Sequence, residues 1–129
     1  MDKKEMRKEA RLYFIPFLLG NNAISHRLSK RIYKKYKIVC YILDTKQTLA
    51  DIFDFSSRTL KLTKASNTVL TATELVYLSE QTPYTLPILV PCSDEYKRLT
   101  DEHRELLEAS FVLSSKEELL NGYPLNIIP

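Results

Sequence analysis

Glycine is nearly missing: Gly20 and Gly122 are the only two in 129 residues. A dinucleotide-binding turn needs three, for the tight turn, for close approach to the pyrophosphate and for helix packing. Here Gly20 has Asn22 and Ser25 where the second and third would stand, so that fingerprint is broken. No glycine is followed by Lys and Ser or Thr, which removes a P-loop. Cysteine is scarce as well. Cys40 and Cys92 both lie in apolar surroundings, the pattern of a reduced intracellular chain and not of a disulfide scaffold. The longest apolar run has eight residues, far short of the ~20 of a membrane-spanning helix. The leader MDKKEMRKEAR lacks an apolar signal core. These absences predict a cytoplasmic chain with no membrane segment. Histidine is equally thin: neither His26 nor His103 has a second ligand three or four residues away, so no metal site is expected.

What is present is alternation. With 44% hydrophobic and 27% charged residues the composition is that of one globular domain. The run LYFIPFLL from Leu12 to Leu19 stops on Gly20, as a buried parallel strand does when it turns into a helix. Asn21 or Asn22 caps that helix, and Ile24, Leu28, Ile32 and Tyr36 form its apolar stripe. A second apolar run, IVCYILD, ends at Asp44, and only a short helical hint follows around Leu49 to Phe53. Ser57 to Leu62 alternates like an edge strand. Asn67 or Thr68 caps a helix with Val69, Leu70, Leu75, Val76 and Leu78 inward and Pro83 at its end. LPILV from Leu86 to Val90 is a short central strand, closed by PCSDEY, in which Ser93 is a helix cap and Asp94 and Glu95 sit in the first turn. Tyr96, Leu99, His103, Leu106 and Leu107 make the next stripe, SFVL from Ser110 to Leu113 a fifth strand, and Ser114 or Ser115 opens a last helix that Gly122 stops.

Five strands separated by helices predict an α/β fold, a three-layer Rossmann-like open parallel sheet in the order 3-2-1-4-5 with helices on both faces. The corners after strands one and four then flank the switch point, so Gly20, Asn21 and Asn22 face one crevice with Cys92, Ser93 and Asp94. Glycine at the turn and the helix dipole behind it favour an anionic group. A response-regulator receiver needs acids after the first strand and an acceptor Asp after the third; this chain offers GNN and LTK, and the reading fails on both.

Charge is uneven. Residues 1–40 carry 11 Lys and Arg against 3 Asp and Glu, whereas residues 41–129 carry 8 against 13. The stripe of Arg27, Lys30, Arg31, Lys34 and Lys35 is that of a solvated helix face or of a surface for a partner. Without an exposed aromatic platform it argues against nucleic acid. His26 reads as a solvated helix residue, and His103 as a packing or capping one. Cys92, at a strand end before a helix, reads as a packed thiol, with a dipole-activated thiolate as the alternative. Asp94 reads first as a stabilising acid at a helix start, and second as a crevice acid that orients an amine.

FIPFLLGNNAISHRLSKRIYKKYKI, LKLTK and ILVPCSDEYKRLTDEHRELLEASFVL, in this order and spacing, resemble the amino-terminal domain of ATP-grasp carboxylate-amine ligases, most closely the D-aspartate ligase-like group. The resemblance spans about Tyr13 to Leu120. It implies a charged leader over 1–11, a Rossmann-like pre-ATP-grasp domain over 12–121 and the start of a connection over 122–129. In that family ATP and magnesium are held by later domains, a carboxylate is activated as an acyl phosphate, and an amine attacks it. The leading domain forms one wall of the acceptor-substrate site. By that resemblance Gly20, Asn21, Asn22, Ser25, Cys92, Ser93 and Asp94 line the wall, none of them catalytic, and this segment binds no cofactor itself. Its partners are the remaining ATP-grasp domains and a small carboxylate or amino-acid substrate, and a homodimer is compatible with it. The apolar ending with Ile127 and Ile128 is expected to find a packing partner in further chain. The alternative function is a stand-alone α/β interaction module that uses the basic first helix.

Overall fold

A computed structural model describes residues 13–81 and 85–123. Its centre is β1 (Phe14–Leu19), an all-apolar strand whose side chains alternate between two faces, so that five of its six residues are buried. β1 pairs in parallel with β2 (Cys40–Asp44) and with β4 (Leu86–Pro91); β3 (Ser57–Lys61) and β5 (Val112–Leu113) close the two edges. The order is β3-β2-β1-β4-β5, all parallel, the sheet expected from the sequence.

Helices cover both faces. On one, α1 (Ala23–Tyr36) and α6 (Lys116–Leu120) pack Leu28, Ile32, Tyr36 and Leu119 on Phe14, Leu18, Ile42 and Ile88. On the other, α3 (Thr68–Glu80), α4 (Asp94–Glu102) and α5 (Arg104–Glu108) bring Leu75, Leu99 and Leu107 onto Phe17, Leu43 and Leu89. The short α2 (Ala50–Phe53) precedes β3.

Several local expectations are corrected. Ile24 is 43% exposed, since the α1 stripe that packs begins at Leu28. Val69 and Leu70 stand in solvent, and α3 instead buries Ala72, Leu75 and Ser79. The helix through His103 is not continuous: His103 terminates α4 and starts α5, which turns Leu106 outward while Leu107 is buried. The fifth strand shrinks to Val112 and Leu113. The expected strand start at Leu12, the helix stop at Pro83, the 1–11 leader and most of the 122–129 connection lie outside the described residues. Among the described residues no helix is long and apolar enough to cross a membrane.

Candidate functional site

The parallel ladder brings the ends of β1, β2 and β4 to one rim. Gly20 N–H continues the ladder by donating to the Leu43 carbonyl (2.8 Å), and Cys92 N–H donates to the Leu19 carbonyl (2.8 Å). Gly20 has φ +120°, a conformation that L side chains rarely adopt. It swings the chain off β1 into α1. Asn22 caps α1 by accepting from Ser25 N–H, and the Ser25 hydroxyl accepts from Asn22 N–H in return. The Asn22 amide then crosses to the second corner, donating to the Cys92 carbonyl at 3.0 Å. The two corners are thus joined directly. Ser93 caps α4 in the same manner through Tyr96 N–H.

A cleft of about 510 Å³ opens above this rim. Gly20, Asn22 and Ser93 line it, as do Asp44 and Lys46 from the end of β2 and Tyr96 from α4. Lys64, Asn67 and Thr68 form the opposite side, where Asn67 caps α3. Asp44 is the anchor of the cleft. One carboxylate oxygen accepts from Asn21 N–H (2.8 Å), and the other accepts from Thr45 N–H (2.7 Å) and the Tyr96 hydroxyl (2.9 Å). Burial, and then the bond to Asp44, push the Tyr96 phenol well above its usual range, so it stays a donor.

Of the residues singled out from the sequence, Gly20, Asn22 and Ser93 reach this cleft. Asn21 faces the back: its amide donates to both oxygens of Asp51 at 2.9 Å. Ser25 is fully buried and spent on the cap. Cys92 is buried, its thiol pushed up to about 12 by that burial, which removes the thiolate alternative. Its backbone, not its sulfur, serves the site. Asp94 lines an adjoining cavity of about 430 Å³ with Ile24, Lys97 and Lys116, which Asn22 and Ser93 separate from the main cleft. Asp44, Tyr96, Lys64, Asn67 and Thr68 were not singled out as site residues. An acid closing an apolar strand run at the rim was the available signal for Asp44.

Behind the first corner lies a cluster that sequence spacing conceals. His26 is 6% exposed and not solvated as expected. Its Nδ1 is 2.6 Å from Asp54, and its Nε2 is 2.9 Å from the Asn21 carbonyl oxygen and 3.1 Å from Asp51. Helix α1 offered no partner for it; both carboxylates come from the β2–β3 connection, 25 and 28 residues away in sequence. For Asp54, burial raises the carboxyl, but bonds from the Ser56 hydroxyl and His26 outweigh it and hold the group below the usual range. For Asp51, burial is likewise outweighed by Thr48, Asn21 and His26. His103 meets α3 instead, 2.8 Å from the Thr68 hydroxyl.

Among the described residues no group of three or more His, Cys, Asp or Glu is arranged to hold a metal ion. The rim offers one glycine and no phosphate-cradling loop. No known family matches the chain, and neither a curated protein nor a solved structure is found to be similar to it.

Proposed function

We propose that this chain is the substrate-side, pre-ATP-grasp domain of an ATP-dependent carboxylate-amine ligase, without catalytic activity of its own. The observation that carries the reading is the junction of the two β-to-α corners through the Asn22 amide and the Cys92 carbonyl, beneath a cleft whose walls offer a fixed carboxylate, Asp44, and two lysines, Lys46 and Lys64. Such a wall suits a small polar substrate that carries a carboxylate or an amine. It does not suit a nucleotide, because the Asn22 side chain occupies the place where a glycine lets pyrophosphate approach the backbone. Remaining domains of the same protein supply the grip on ATP and magnesium and the opposite wall of the acceptor site. The reading places the protein in the cytoplasm, with no membrane and no nucleic acid among its partners.

The test is a calorimetric titration. The 129-residue chain shows no heat with magnesium-ATP, while a protein that carries the same domain ahead of its ATP-grasp halves hydrolyses ATP only when the correct carboxylate and amine are supplied. Tight ATP binding by the chain alone refutes this division of labour.

A further inference from the structure

The connection between β2 and β3 is folded inside out. Its acids point inward, with the Asp51 and Asp54 side chains 9% and 3% exposed. Its large apolar residues point outward: Leu49 is 78% exposed, Ile52 69%, Phe53 74% and Phe55 84%. An amphipathic segment on an isolated domain is arranged the other way, with its apolar stripe on the core and its carboxylates in water. The inversion is held in place by His26, Asn21, Thr48 and Ser56, which bond the two carboxylates from within.

We propose that this face is the docking surface for a second copy of the chain, packed about a twofold axis. Its charge and its size both favour that occupant. The two acids inside the segment are turned away and bonded, so Leu49, Ile52, Phe53 and Phe55 present no formal charge between them and meet their copies without like-charge repulsion among these side chains. A strongly acidic or basic partner finds no counter-charge among these four side chains. The exposed area is also of the right order. Two phenylalanines at these exposures show on the order of 300 Å², and the four side chains together roughly 600 Å². That is at the limit of what monomers display and most of the ~800 Å² each partner gives to a standard interface. A self-complementary apolar patch closes as a pair, the commonest symmetry of homo-oligomers, and phenylalanines facing each other across the axis stack in offset or edge-on geometry.

Sedimentation velocity over about a hundredfold range of concentration reads the proposal. The chain goes from one to two copies with a dissociation constant in the micromolar range or tighter. Phe53→Ser with Phe55→Ser weakens that constant at least ~30-fold, with an unchanged circular dichroism spectrum and, at concentrations where parent and variant are both monomers, an unchanged melting curve, because in the single chain both side chains are largely in solvent. Tyr77→Ser, at a 60% exposed site on α3, leaves the dimer intact. Raising salt to 1 M leaves it intact as well, since no ion pair holds it. A monomer at every concentration overturns the proposal. So does a dimer that survives the double substitution, a dimer that salt dissolves, or a monomeric chain that binds phosphatidylglycerol vesicles through the same phenylalanines.

Discussion

His26→Leu is expected to lower the melting temperature by about 10 °C. The ring is the shared partner of two inward-facing carboxylates, at 2.6 Å from Asp54 and 3.1 Å from Asp51. Removing the partner shared by two buried carboxylates strands them, which costs about 3–5 kcal/mol. Asn21, Thr48 and Ser56 still bond the acids, so the lower figure of about 3 kcal/mol applies, and a domain of this size loses roughly 3–5 °C per kcal/mol. Differential scanning calorimetry reads it directly. Adding Asp51→Asn and Asp54→Asn to His26→Leu recovers part of the loss, because the uncompensated charges are then gone. Both carboxyls are held below their usual range in the folded protein, so the stability they contribute is present above the unfolded carboxylate value of about 4 and fades as pH falls below it through the folded values. Since His26 is one of the groups holding them low, the stability gap between parent and variant is full above about pH 4 and narrows as the carboxyls take up protons below it.

Gly20→Val is expected to cost about 3 kcal/mol and to remove ligand binding at the rim. The backbone there has φ +120°, where a β-branched residue is strained by about 1–3 kcal/mol. Space is tight besides. A Cβ built on Gly20 meets the Tyr96 ring at 3.4 Å and the Asn22 amide at 3.5 Å, ordinary contact for one methyl but not for the branched side chain beyond it. Valine therefore pushes on both groups that knit the cleft, the Tyr96 phenol on Asp44 and the Asn22 amide on the Cys92 carbonyl. Gly20→Ala pays the backbone strain without that displacement and falls by about 2 kcal/mol. Chemical denaturation of the two variants separates strain from crowding: equal losses contradict the close approach of Tyr96.

The inner strands were legible because their apolar runs are buried on two faces, as Phe14 through Leu19 and Leu86 through Val90 are. The first corner was legible because glycine and asparagine mark it chemically. Asp44 escaped notice as a site residue because its role depends on a tyrosine 52 residues later reaching over from α4. His26 escaped for the same kind of reason. Its position between Ser25 and Arg27 on a helix says nothing of Asp51 and Asp54, which only the β2–β3 connection brings beneath it. That connection was the faintest part of the pattern, only a short helical hint around Leu49 to Phe53, and its apolar residues lie on the outside with its acids within.

One small polar ligand is expected to touch both β-to-α corners at once. Amide chemical-shift mapping of the labelled chain, titrated with a panel of amino acids and short carboxylates and separately with magnesium-ATP, tests it most directly. At least one member of the panel is expected to move Gly20, Asn22, Thr45 and Ser93 together, with a common affinity, and ATP to move none of them. A ligand that moves one corner without the other, or ATP moving this set, contradicts it.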